Sequence, residues 1–340
     1  MSGVMTKIGI LGAGSWGTAL SVLLAVRHDD IVMWEFRPDV AKQLTTLREN
    51  RAMLPDIQIP AKIVITDDLE QAVVDRDVLI CAVPSHIVRE LATRLLTFTL
   101  GQKLLVSVTK GIENNTLLRV SQIFAAVLPD FPQEQFIVLS GPSHAEEVSR
   151  EIPTTVVAAC IALPNAKKVQ EIFMTPTFRV YSHTDVTGVE LGGSLKNIIA
   201  IAAGIGDGVG FGDNTKAALM TRGLVEITRL GTALGANSLT FAGLSGMGDL
   251  IVTCMSRHSR NRYVGEQIGK GKTLTEVLSE MVMVAEGVRT TRAAYELAKL
   301  HGVEMPITEE VYRVLFENKN PKDAVYALMT RDAKQERFGV

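Results

Sequence analysis

Residues 7–25 read KIGILGAGSWGTALSVLLA, an apolar run interrupted by glycines at 12, 14 and 17. Residues 5–12 alternate too little for a half-exposed strand and fit one buried on both faces of a parallel sheet. An apolar helical pattern runs from Ser15 to about Val26, and a second strand, DIVMWEF, follows. Strand, glycine turn, helix and strand make a βαβ unit, the context in which G-x-G-x-x-G points to a dinucleotide. Gly12 permits the tight turn, Gly14 lets a pyrophosphate approach the backbone, and Gly17 lets the helix pack on the strand. The helix N-terminus offers N–H groups and a positive dipole end to the phosphates, and Ser15 and Trp16 occupy its first positions. A glycine turn without a ligand is the plainer alternative.

The pattern recurs outward from there. VLICAVPS (78–85), KLLVSVTKG (103–111) and QFIVLSGPS (135–143) read as strands, each followed by a helix or turn. The alternation predicts a doubly wound, Rossmann-like sheet whose strand ends gather at one ligand-binding edge. From Val189 the pattern is helical, over about 189–206, 214–235, 239–254, 261–270, 274–281, 287–302 and 306–317. The expected fold is therefore α/β: a dinucleotide-binding domain over 1–188, then an all-α substrate and catalytic domain over 189–340.

The 340 residues are too many for one compact core. Lys and Arg number 35 against 37 Asp and Glu, without a single-sign block, so nothing directs the chain to nucleic acid or anionic lipid. Any basic residues that matter act locally, on a small anionic ligand. Three separated cysteines without C-x-x-C suit a reducing compartment. The N-terminus shows no secretory pattern, and LKNIIAIAAGIG is too short to span a bilayer, so a cytoplasmic protein without membrane insertion is expected. The helical domain offers surfaces for a homodimer.

Glu35 ends the second strand, 18 residues beyond Gly17. A carboxylate there accepts from a ribose 2′-OH, whereas Arg37 nearby suits a 2′-phosphate. The signals conflict over NAD or NADP, and a solvated Glu35 is an equal alternative. Lys110 follows a buried strand, as an anion or carbonyl ligand or as a surface lysine. Gly141 and Ser143 lie on a turn into a short helix near His144, whose N–H groups suit an oxygen ligand. Lys196 stands among apolar and small residues, three positions after a Gly-Gly pair. Desolvation would lower its pKa towards neutrality and let it exchange a proton near pH 7; the alternative is a snorkelling lysine. Asp249 lies between a glycine turn and an apolar helix. Ser259-Arg260-Asn261 couples a cap-like serine to an arginine at a helix start, an arrangement matched to phosphate or simply an N-cap. Glu286 is either a ligand or a helix N-terminal acid. His86 and His144 rank below Lys196, Cys81 and Cys254 read as core, and no metal or acyl-enzyme motif is visible.

Together, GILGAGSWGTAL, AVPSH, VTKGIE, SGPSHAEEV, ELGGSLKNIIAIAAGIGDGVGFGDN, GLSGMGDLIVTC, SRNR, AEGV and EMPITEEVY run in order from residue 9 to about 312. In that series the chain resembles the bacterial NAD(P)-dependent glycerol-3-phosphate dehydrogenases. The resemblance implies interconversion of sn-glycerol 3-phosphate and dihydroxyacetone phosphate for phospholipid synthesis, with NAD or NADP as cofactor. It also implies Lys196 as proton acceptor and donor, and Lys110 touching substrate and cofactor. Gly141, Ser143, Asp249, Ser259, Arg260 and Asn261 would meet the substrate, with Asn197 and Thr253 second in rank. Ser15, Trp16, Arg37, Ala145, Arg260, Val284 and Glu286 would line the cofactor. One departure stands out: family members often carry Gly-His where this chain has Glu35-Phe36. A β-hydroxyacid or 6-phosphogluconate dehydrogenase is a near rival, and a dinucleotide sensor that does not need Lys196 is a rival of another class.

Overall fold

The computed structural model describes residues 6–333, 335 and 336. Packing divides the chain into two units, one running to Thr109 and resuming over Val120–Val186, the other comprising Lys110–Arg119 and everything from Thr187.

Among the described residues the first unit contains ten strands: β1 (Ile8–Leu11), β2 (Ile31–Trp34), β3 (Glu49–Asn50), β4 (Leu54–Gln58), β5 (Val64–Thr66), β6 (Val78–Cys81), β7 (Leu104–Ser107), β8 (Phe136–Ser140), β9 (Thr154–Ala159) and β10 (Phe178–His183). Eight form one sheet in the order β10-β9-β8-β7-β6-β1-β2-β5, parallel except where β8 meets β9. β1 is an interior strand, paired on both sides, with Ile8 opposite both Ile31 and Val78. Strands covered on both faces need apolar residues at every position, which is why β1, β2, β6 and β7 read as uninterrupted runs. Ile8, Ile10, Met33, Ile80 and Val106 share a core with Leu20 and Leu24 of the Ser15–Ala25 helix. Each such side chain contributes about 1.5–3 kcal/mol when buried. β3 and β4 form a separate antiparallel ribbon.

In the second unit the Val186–Val209 helix is buried along almost its whole length, as befits a helix apolar on all sides. At 24 residues it is longer than its most apolar segment suggested, and by length and composition alone it could cross a membrane. Here it is a core helix, with 94% of its most apolar window buried. It touches the Arg260–Gly269 helix backbone to backbone: a Cβ on Gly204 would lie 1.9 Å from the Arg262 carbonyl oxygen, and one on Gly265 2.0 Å from that of Ile201.

Four differences from the sequence reading have identifiable physical causes. Residues 239–254 are not one helix but a 3₁₀ turn (Ser238–Ala242), a wide π turn (Leu244–Gly248) and a helix (Asp249–Met255). Gly246 packs so tightly on Phe241 that a Cβ would lie 2.1 Å from its carbonyl oxygen. A further helix, Pro321–Met329, starts where the Asn320 side chain accepts from Lys322 N and proline takes the first turn. β5 is too short to signal itself, and β9 and β10 extend the sheet beyond the strands that were read. Lys110–Arg119, expected with the first domain, packs with the second because Ile112 and Leu117 join its helical core.

Candidate functional site

In the first unit, Gly12 has φ +121° and a Cβ there would lie 2.9 Å from the Ala82 carbonyl oxygen. A Cβ on Gly17 would lie 1.9 Å from that of Gly12, so only glycine lets the helix seat on the turn. Gly14 differs: the nearest atom to its would-be Cβ is Met53 Sδ at 4.0 Å, so packing does not require glycine and the space lies open to a ligand. Gly14 is also the N-cap of the Ser15–Ala25 helix and lends no side chain to its first-turn N–H groups, which include those of Ser15 and Trp16. An open face and an uncapped helix start suit a pyrophosphate.

Glu35 is not a solvated charge. It is only 5% exposed and accepts from Arg37 Nε at 2.8 Å and from Arg37 N at 3.3 Å. The two conflicting sequence signals are thus one ion pair, with the guanidinium the more exposed partner. It lies at the N-cap of the Pro38–Leu47 helix. After β8, Gly141 takes φ +140°, Ser143 Oγ donates to its carbonyl oxygen at 2.9 Å, and Ala145 opens the four-residue Ala145–Val148 helix.

In the second unit, Lys110 rides on a loop that doubles back, with Ile112 bridging Arg119 in antiparallel fashion. The loop is tied to the Val186–Val209 helix by Ser194 Oγ donating to the Gly111 carbonyl oxygen at 3.4 Å and by an Arg119–Glu190 ion pair. These anchors escape a reading of the sequence, although apolar Ile112 and Leu117 flanking the Asn114-Asn115 turn are a signal that this loop seeks a core. On the same helix Lys196 is buried, and its Nζ donates to Asp249 Oδ1 at 2.6 Å and to Thr253 Oγ1 at 2.5 Å. Lys110 Nζ meets the other oxygen, Oδ2, at 2.6 Å. Asp249, 1% exposed, therefore joins two ammonium groups. Thr253 Oγ1 passes its own hydrogen to the Asp249 carbonyl oxygen at 2.6 Å, leaving a lone pair for Lys196. Burial pulls Lys196 down to about 8; Asp249 opposes this and Lys110 adds to it.

The next residue, Asn197, accepts from Asn261 Nδ2 at 2.9 Å, and Asn261 Oδ1 accepts from Gly287 N at 2.9 Å. Ser259 is the N-cap of the Arg260–Gly269 helix, accepting from Arg262 N, and Arg260 is its exposed first residue. Glu286 opens the Glu286–His301 helix, with half-buried Val284 just before it. Among the described residues no group of three or more His, Cys, Asp or Glu could hold a metal. Cys81 and Cys254 are buried, and burial pushes their thiols up to about 11 and about 12.

Two family models cover nearly the whole chain: the NAD-dependent glycerol-3-phosphate dehydrogenase N-terminus over residues 7–166 and its C-terminus over 185–326. A glycerol-3-phosphate dehydrogenase [NAD(P)+] of Salinibacter ruber is 56% identical over 98% of this chain and 97% of its own length. One of Pelotomaculum thermopropionicum is also 56% identical, over 97% and 95%. The crystal structure of the Coxiella burnetii glycerol-3-phosphate dehydrogenase superposes with a TM-score of 0.92 at 36% identity, covering 96% of this chain and 99% of that one. The chain belongs to the glycerol-3-phosphate dehydrogenase family, and its activity is that of an NAD(P)-dependent glycerol-3-phosphate dehydrogenase.

Proposed function

We propose that the enzyme interconverts sn-glycerol 3-phosphate and dihydroxyacetone phosphate with Lys196 as the proton acceptor and donor at the C2 oxygen. One observation carries this reading: two of the three tetrahedral positions on Lys196 Nζ are taken, by Asp249 Oδ1 and Thr253 Oγ1. The third has no acceptor among the described residues. In the neutral amine both hydrogens stay on those partners and the lone pair occupies the third position, ready to take the C2 hydroxyl proton; in the ammonium that position holds the proton to be returned. An ammonium at about 8 exchanges readily in both directions near neutral pH.

NAD(P), when bound, would supply the hydride-transfer chemistry at C2 in either direction. The glycine turn and the Ser15–Ala25 helix start would hold its pyrophosphate, with Glu35 and Arg37 at the adenosine end. Asp249 keeps Lys196 oriented and partly offsets the cost of its charge. Lys110, on the same carboxylate, supplies a positive group beside the oxygen that gains electron density in reduction. Ser259, Arg260 and Asn261 would receive the substrate phosphate: the serine oxygen accepts as cap while its own hydrogen stays available, and a guanidinium binds phosphate through two hydrogen bonds. Asn197, bonded to Asn261, would hold a hydroxyl. The wider reading is a cytoplasmic homodimer that supplies glycerol 3-phosphate to phospholipid synthesis.

Arg260→Ala, assayed against dihydroxyacetone phosphate and phosphate-free dihydroxyacetone, tests the substrate assignment. Loss of a charge-assisted pair, about 1.5–3 kcal/mol, should raise KM for the phosphate ester about tenfold to a hundredfold and leave the free ketone unaffected. Equal effects on both would refute a phosphate role for this residue.

A further inference from the structure

The glycine turn has no side chain of its own to set the direction of its peptides. Ala13 lies between Gly12 and Gly14, and its carbonyl oxygen points into the protein, where Asn50 Nδ2 donates to it at 2.9 Å. The same amide nitrogen donates to Thr18 Oγ1 at 3.0 Å, and Asn50 Oδ1 accepts from Met53 N at 3.3 Å. Asn50 is 5% exposed and Thr18 fully buried. The two bonds that the Asn50 amide nitrogen donates thus lock β3 to the turn and to the first helical turn behind it, while the bond from Met53 fixes the amide within its own ribbon. The ribbon is held in place by Leu54 and Ile57, which pack against Ala19 of that helix.

A trans peptide aims its N–H opposite to its C=O. With the Ala13 carbonyl drawn inward by Asn50, the Gly14 N–H must point outward, on the side where Gly14 lies open. Thr18 N, donating to the Gly14 carbonyl at 2.9 Å, fixes the following peptide in turn. We propose that Asn50 is a positioning residue for the cofactor: it sets the Ala13–Gly14 peptide so that the Gly14 N–H faces the pyrophosphate of NAD(P). Thr18 Oγ1 also donates to the Ala13 carbonyl oxygen, but at 3.4 Å; glycine samples φ of either sign at little cost, so without the shorter bond from Asn50 only this long contact holds the peptide, which can then turn over and withdraw its donor. The inference rests on the glycine turn being the pyrophosphate site.

The test measures dissociation constants of NADH, ADP-ribose and adenosine by calorimetry, with melting temperatures recorded in parallel. Asn50→Ala removes all three bonds; Asn50→Asp keeps the shape and the bond from Met53 but loses the donor to Ala13. Each should weaken NADH and ADP-ribose about tenfold, the worth of one hydrogen bond to a charged group. Adenosine, which has no phosphate, should change by less than about twofold. A purely structural role would weaken adenosine to the same degree, and that result would overturn the proposal, as would unchanged ADP-ribose binding in either folded variant. Should Asn50→Ala not fold, Asn50→Asp decides alone. Gly14→Val separates the premise from the inference, because the nearest protein atom to a Cβ there is Met53 Sδ at 4.0 Å and the added side chain would fill the space left for a ligand. If it leaves NADH binding intact the premise fails; if it abolishes binding while both Asn50 variants bind normally, only the role of Asn50 fails.

Discussion

Asp249→Asn is the most informative single change at the lysine cluster. The substitution keeps the shape of a side chain that is 1% exposed and removes only its charge and one acceptor. Each carboxylate oxygen lies 2.6 Å from a lysine Nζ. Opposite unit charges about 4 Å apart attract by about 4 kcal/mol at the effective dielectric of a protein site. Losing even a third of that moves the Lys196 ammonium down by about one pKa unit, since one unit is about 1.4 kcal/mol. Lys110, no longer shared with a carboxylate, pushes in the same direction. In the wild type, oxidation needs the neutral amine and should rise with pH through about 8, whereas reduction needs the ammonium and should fall through the same value. In Asp249→Asn both limbs should move to lower pH by at least about one unit. With a neutral amide oxygen in place of the charge that orients Lys196, kcat should also drop, by up to about a hundredfold, the lower end of what a positioned acid–base contributes. The assay is the pH dependence of kcat/KM for glycerol 3-phosphate oxidation and for dihydroxyacetone phosphate reduction, followed by reduced-nicotinamide absorbance. Limbs that stay near their wild-type pH, or move upward, would refute the idea that this carboxylate sets the protonation of Lys196.

Two further changes address cofactor choice and stability. Arg37→Ala removes the partly exposed guanidinium that Glu35 holds at 2.8 Å; binding of NADPH should weaken about tenfold more than binding of NADH, because only the former offers a 2′-phosphate, and parallel losses would count against that role. Glu226 is 2% exposed and accepts from Ile307 N at 2.6 Å and Thr308 N at 3.1 Å, and burial pushes its carboxyl up to about 7 from an ordinary 4.5. A carboxyl raised on folding contributes stability that is fully present below its unfolded value and is lost as pH rises through about 7. The wild type should thus lose up to about 3 kcal/mol between roughly pH 5 and pH 8 relative to Glu226→Gln; melting curves at the two pH values check this, and a Glu226→Gln variant that loses as much would exclude it.

What was legible in the sequence was what local pattern encodes. The buried strands, the glycine turn and the apolar setting of Lys196 follow from burial periodicity and from glycine's lack of a side chain, and these features alone imply a Rossmann-like sheet and a helical domain. Other features depend on contacts distant in the chain. The Lys110 loop leaves β7 and packs with helices that begin some 70 residues later, as its Arg119–Glu190 pair records. The break between Phe241 and Asp249 answers to crowding at Gly246 and at Gly192, whose Cβ would lie 2.5 Å from the Ser245 carbonyl oxygen; helical periodicity carries no trace of it. Glu35 and Arg37 gave contradictory signals as separate letters, since only coordinates reveal that one neutralises the other. Asn50 drew no attention because a ribbon residue announces nothing about the turn it supports.

The most direct measurement is the single-turnover rate of NADH oxidation by dihydroxyacetone phosphate across pH, for the wild type and Lys196→Ala, with NADH affinity determined alongside. If Lys196 is the proton donor, the variant should be about a hundredfold to ten-thousandfold slower and lack the descending limb near pH 8, with NADH binding within about twofold of normal. A variant that keeps the limb, or turns over within about tenfold of the wild type, would contradict it.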